Sequence, residues 1–163
     1  MRRGESAVTW WRGQSESLAL YALVGLGAAI GGVGRMLVSL AALELAYPGF
    51  PWGTLVANVV GSFAIGLYAT LTEPGGRLMA SARLRQFVVA GLCGGFTTFS
   101  VFSLESVQFL AAQNYATAAA YMGASAISWL IAVWLGFAIA TRLNRRDGLG
   151  ALSREIEKSD GES

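Results

Sequence analysis

The chain has 163 residues, 54% of them hydrophobic and 13% charged, with 21 Gly, 3 Pro, one Cys, no His and a formal net charge of +2. A soluble domain carries about 25% charge, and here the shortfall is concentrated, because between Leu18 and Thr141 only Arg35, Glu44, Glu73, Arg77, Arg83, Arg85 and Glu105 are charged. That pattern excludes a disordered chain and a nucleic-acid-binding module, argues against a soluble enzyme built on acid–base pairs, and leaves lipid as the solvent of one domain.

Residues 1–17 read as a cytoplasmic N-terminal segment; Glu5, Trp10, Trp11 and Glu16 interrupt any cleavable-signal pattern. Four stretches then reach the roughly 20 apolar residues that a membrane helix requires. The first, about 18–45, is rich in Gly and Ala and ends at the breaker Tyr47-Pro48-Gly49-Phe50-Pro51. The second spans about 53–71 and stops before Glu73-Pro74-Gly75-Gly76. The third, about 84–112, and the fourth, about 117–141, are joined by a turn around Gln113-Asn114-Tyr115. Residues 142–163 read as a polar cytoplasmic tail, expected to be mobile or a short surface helix. Trp10, Trp11, Tyr47, Trp52 and Tyr115 fall near span ends as interfacial aromatics do, whereas Trp129 and Trp134 lie inside the fourth span and read as packing or lipid-facing. A lone Cys93 forms no intrachain disulfide, and without His it supplies no transition-metal site of soft or borderline ligands.

Four spans put both termini and the 72–84 connection on one side. That side holds Arg2, Arg3, Arg12, Arg77, Arg83, Arg85, Arg142, Arg145, Arg146, Arg154 and Lys158. The opposite connections hold no Lys or Arg, and Arg35, about 25 Å along the first helix from Leu18 at 1.5 Å per residue, is within snorkelling reach of that face. Even with Arg35 counted there the bias is eleven to one, which places both termini in the cytoplasm of a multi-pass cell-membrane protein.

A polar side chain in lipid is costly unless paired, so each one is a candidate for function, against the plainer role of gluing helices together. Thr54, Asn58 and Ser62 stack on one face of the second span beside a small-residue row of Gly53, Ala57 and Gly61. Packing accounts for the glycines but not for Asn58, whose amide needs several partners. The third span holds the poorest helical sequence in the chain, Gly91-Leu92-Cys93-Gly94-Gly95-Phe96-Thr97-Thr98-Phe99-Ser100. Its Gly94, Gly95, Thr97 and Thr98 predict a helix break near mid-membrane, and unwound carbonyls at that depth suit a hard cation. Past the break, Phe99 and Phe102 share a face, with Ser103 a turn beyond Phe99; positive ring edges and hydroxyls together solvate a dehydrated anion without any cationic side chain. The fourth span contributes Tyr121, Ser125 and Ser128. Glu105 reads as a carboxylate reached by water at the interface or as a partner for a basic group.

Taken together, Gly31-Gly32-x-Gly34-Arg35, Pro51-Trp52-Gly53-Thr54-Leu55-Val56-Ala57-Asn58 and the third-span stretch resemble the Fluc (CrcB) family of fluoride channels over residues 18–141. The resemblance implies an all-α integral membrane protein of four helices, the third broken, assembled as an inverted (antiparallel) dimer with two narrow fluoride pores. It implies a structural, untransported sodium ion at the dimer centre held by the backbone carbonyls of Gly94 and Thr97. The fluoride pathway it implies runs past Asn58, Phe99, Phe102, Ser103, Tyr121 and Ser125. Two departures stand out: Val101 occupies a position between the phenylalanines where the family often has a hydroxyl, and the charge bias does not suit a chain that must insert both ways. The second departure points to fixed insertion and pairing with an inverted paralogue of opposite bias, the alternative being a homodimer. Two other function classes compete. A four-span drug/proton exporter needs an embedded carboxylate that the middle of the first span lacks, and a non-transporting scaffold gives no reason for Asn58 in register with Thr54 and Ser62. No nucleophile–base pair assembles, so the chain reads as no enzyme, and fluoride, lipid and a second subunit are its expected partners.

Overall fold

The computed structural model describes residues 3–45 and 49–161, with side chains over 16–45 and 49–145. Its described residues form helices and connecting turns with no strand. Helix α1 covers Arg3–Leu45, α2 Trp52–Leu71, α3 Ala82–Gln86, α4 Gly94–Phe96, α5 Phe99–Ala111 and α6 Tyr115–Gly161; a π-helical segment, Phe87–Cys93, links α3 to α4. Among the described residues four stretches are long and apolar enough to cross a membrane: Glu16–Leu45, Trp52–Leu71, Ala82–Ala111 and Tyr115–Arg145. Helix continues past Thr141 to Gly161. The breaker residues Tyr47 and Pro48 lie outside the described residues, as do the side chains of Trp10 and Trp11.

Local chemistry sets the ends. Ser81, extended at ψ 152°, caps α3 by accepting from the Leu84 amide at 3.2 Å. The turn after α5 closes with Gln113 at φ 57°, the Asn114 amide on the Phe109 carbonyl at 2.9 Å, and the Asn114 side chain accepting from the Thr117 amide. At the other end of α6, Asn144 clasps the connection that follows α2, donating to the Thr70 carbonyl at 3.0 Å and accepting from the Arg77 amide at 2.9 Å.

Helices in lipid lack a hydrophobic drive toward one another, so close backbone approach through small residues holds them together. The buried set fits that rule: Ala57, Ala118, Ala132 and Ala140 are buried, and among the described residues Tyr121 is the one large side chain wholly enclosed. Leu26, Leu37, Leu130 and Trp134 face outward. Helix α1 crosses the π-helical segment backbone to backbone; a Cβ on Gly91 would stand 2.8 Å from the Val24 carbonyl oxygen, and one on Gly27 the same distance from that of Phe87. The most extensive contact joins α2 to α6, where a Cβ on Gly136 would reach within 2.7 Å of the Leu67 nitrogen. The small-residue row of α2 behaves similarly, with Gly53 against Ser39 of α1 and Gly61 against the Thr97 methyl.

Candidate functional site

Within the third span the helical winding changes character. Seven residues wind with i→i+5 hydrogen bonds over Phe87–Cys93, a form that recurs at functional positions. Gly94–Phe96 make one α-turn, after which Thr97 (φ −83°, ψ 159°) and Thr98 (φ −150°, ψ 124°) run extended before α5 begins. Thr97 ties itself back to the preceding turn, its amide and hydroxyl both donating to the Cys93 carbonyl at 2.9 and 3.0 Å. Thr98 caps α5 with its hydroxyl accepting from the Val101 amide at 3.2 Å.

Asn58 of α2 supplies what the extended segment lacks. Its Nδ2 donates to the Thr98 carbonyl at 2.9 Å, and its Oδ1 accepts from the Thr98 amide at 2.7 Å. One amide thus satisfies both backbone groups of a residue that has left the helix, which explains the asparagine in register with Thr54 and Ser62. A carboxamide has two N–H donors, so one remains. The diversion also frees carbonyls. In a regular helix the Gly94 oxygen would take the Thr98 amide and the Thr97 oxygen the Val101 amide, but those amides go to Asn58 Oδ1 and Thr98 Oγ1. Two hard oxygen donors with no helical partner fit a hard cation such as sodium in chemistry. Arg35, placed by sequence near the far face, is half-buried and directs its Nε to the Gly95 carbonyl at 3.5 Å.

A cavity of about 220 Å³ opens beside this clamp, lined by Asn58, Ser62, Ile65, Thr97, Thr98, Phe99 and Trp129. No charged side chain lines it. Phe99 and Phe102 stand 5.6 Å apart between centroids, and Phe102 reaches α6, where it lies 5.3 Å from Tyr121 and edge-on to Trp129 at 4.8 Å and 73°. The two phenylalanines separate in environment: Phe102 is half-buried among rings, whereas Phe99 is 72% exposed on the outside of the protomer. Ser103, a turn past Phe99 and half-buried, sits on that outer face, apart from the ring contacts and hydrogen bonds of the cluster.

Tyr121 and Ser125 are fully buried on α6. The Tyr121 hydroxyl donates to Glu105 Oε2 at 2.6 Å and the Thr54 hydroxyl to Glu105 Oε1 at 2.9 Å. Glu105 therefore takes two hydroxyls, not a base, and lines a second cavity of about 280 Å³ shared with Ser39, Pro51, Trp52, Thr54 and Val101. Ser128 turns back on its own helix, donating to the Ser125 carbonyl at 3.0 Å. The Ser125 hydroxyl and the Trp129 indole nitrogen are buried without a partner. Sequence reading placed Thr54 and Glu105 in the spans without joining them, since they lie 51 residues apart. Its position inside the fourth span gives Trp129 a packing or lipid-facing role; the one signal of another is its spacing of four from Ser125 and eight from Tyr121, which puts all three on one stripe.

The family described as "CrcB-like protein, Camphor Resistance (CrcB)" matches residues 22–137. A protein of Rhodopseudomonas palustris named "Fluoride-specific ion channel FluC 1" is 55% identical over 130 residues, 80% of this chain and 92% of its own length. A Bradyrhizobium diazoefficiens protein of the same name is 48% identical, covering 86% of this chain and 94% of the relative. "Fluoride-specific ion channel FluC" of Opitutus terrae is 46% identical, covering 80% and 99%. An all-helical chain with four membrane-capable spans, matched by that family from the first span to the last, belongs to the CrcB family.

Proposed function

We propose that the chain forms a fluoride-selective channel of the cell membrane, passing fluoride passively out of the cytoplasm and so lowering cellular fluoride. One observation carries the reading: the mid-span cavity beside the Asn58–Thr98 clamp offers neutral donors and a phenyl ring but no charge. Conduction requires a site favourable enough to enter and weak enough to leave. A lysine or arginine there would hold an anion, whereas the spare Asn58 N–H, hydroxyls and ring edges replace its water without trapping it. The names of the relatives supply the anion.

In this reading the extended Thr97–Thr98 pair is the mid-membrane break of the third helix. The pathway runs past Asn58, Phe99, Phe102, Ser103, Tyr121 and Ser125, with Thr54 and Glu105 holding Tyr121 at one end. Phe99 lies exposed until a second subunit covers it, which supports a dimer; inverted packing would bring the Gly94 and Thr97 carbonyls of two chains around one structural sodium ion. Sodium there would lock the two breaks together and is not transported. Both termini are cytoplasmic, and the eleven-to-one Lys/Arg bias makes the inverted partner a paralogue of opposite bias, with a second copy of this chain as the alternative.

The test is to purify the assembly through a tag on this chain from its own membranes, reconstitute it, and follow fluoride and chloride efflux. Fluoride efflux without chloride supports the channel; protonated-drug exchange or no flux overturns it. Co-purification of a second four-span chain, with no flux from this chain alone, supports the paralogue, and full flux from this chain alone contradicts it.

A further inference from the structure

One donor in the cluster has no role so far. Trp129 follows Tyr121 and Ser125 at intervals of four along α6, so the three polar tips form a row about 12 Å long at 1.5 Å per residue. The first of them is paired, Tyr121 donating to Glu105. The other two are buried and have no partner. Their state is uncommon in these spans, where hydroxyls turn to their own helix: Thr97 to the Cys93 carbonyl, Ser106 to that of Phe102 and Thr141 to that of Phe137. Ser125 does not, and an indole has no such option, because its nitrogen sits far from its own backbone. A buried indole N–H ordinarily finds an acceptor, and one that does not carries a full desolvation penalty.

The Trp129 ring also lines the cavity that holds Asn58, Ser62, Thr98 and Phe99, and Phe102 pins it edge-on. We infer that the Trp129 indole N–H donates to the passing anion, bridging the Ser125 hydroxyl and the Asn58 cavity, and that it is a specificity-determining residue of the pathway. A ring held by Phe102 presents its donor at a fixed place, so a small anion that accepts strongly is favoured over a larger, weaker acceptor. Two unpaired donors a turn apart on α6 then pass the anion from the Tyr121–Glu105 end to the Asn58 end.

The assignment rests on the channel reading, and the two fail differently. Absence of flux from the wild-type assembly defeats the reading, whereas unaltered flux from the variant defeats only the assignment. The experiment labels tryptophan with 15N, assigns the Trp129 indole resonance by replacing the other four tryptophans in turn, and titrates the wild-type assembly with sodium fluoride and with sodium chloride. The Trp129 N–H signal is expected to move with fluoride and to stay in place with chloride. Trp129→Phe, which keeps a ring against Phe102, is expected to slow fluoride efflux about tenfold and to raise chloride passage relative to fluoride. A Trp129 signal that ignores fluoride, or a variant with wild-type rate and selectivity, overturns the assignment. A signal that responds equally to both salts, as an N–H bonded only to a resident water would, overturns it as well. If the variant does not assemble, the wild-type titration decides.

Discussion

Replacing Asn58 with leucine keeps the volume of the side chain and removes both bonds that hold Thr98. The Thr98 amide and carbonyl, now bonded at 2.7 and 2.9 Å, would be left without partners in a half-buried segment. Each orphaned backbone group costs about 1–3 kcal/mol, or about 2–6 kcal/mol together. The upper half of that range is the apt one, since membrane interior offers little water to substitute. Two outcomes are open to the backbone: Thr98 stays extended and unpaired, or Thr97 and Thr98 re-enter the helix and recapture the Gly94 and Thr97 carbonyls. Both destroy the site, the first by destabilising it and the second by closing it. Asn58→Leu should therefore lower the thermal midpoint of the purified assembly by several degrees and abolish fluoride efflux. Asn58→Asp, which retains an acceptor for the Thr98 amide but faces the carbonyl with oxygen, should keep part of the stability and still block anion passage. Wild-type midpoint and efflux for Asn58→Leu would show that the Thr98 clamp is not needed.

Three further outcomes follow from the same structure. Gly91→Ala puts a methyl 2.8 Å from the Val24 carbonyl oxygen at a backbone crossing; overpacking of that kind costs about 1–3 kcal/mol, read as a lower yield of monodisperse protein. Ser125→Ala removes a buried hydroxyl with no partner, so thermal stability should hold or rise while fluoride efflux falls, and a stability loss like that of a bonded serine would contradict the assignment. Exchanging sodium for a large organic cation should suppress flux with helix content retained in circular dichroism, whereas undiminished flux would remove sodium from the account.

The spans were legible in the sequence because apolar length and charge exclusion are properties of composition. So were the poor helix formers from Gly94 to Thr98 and the demand that Asn58 makes for partners, each a matter of single-residue chemistry. Three features were not legible. The π-helical winding of Phe87–Cys93 reflects a choice between i→i+4 and i→i+5 bonding that no residue type there announces, and the Gly27–Gly91 crossing with α1 accompanies it. Glu105 was open to a basic partner until the fold set Thr54 and Tyr121 on either side of it. Trp129 looked like any large aromatic in a lipid span; only the packing of Phe102 against α6 distinguishes it from the outward-facing Trp134.

An uncharged site of donors and ring edges selects fluoride in this channel reading. Simultaneous fluoride and chloride electrode recordings on liposomes holding the assembly purified through this chain measure that selection. Rapid fluoride efflux down its gradient, needing no proton gradient, is expected, with the chloride trace flat. Chloride efflux at a comparable rate, or fluoride movement only when a proton gradient drives it, would show that the site does not select fluoride.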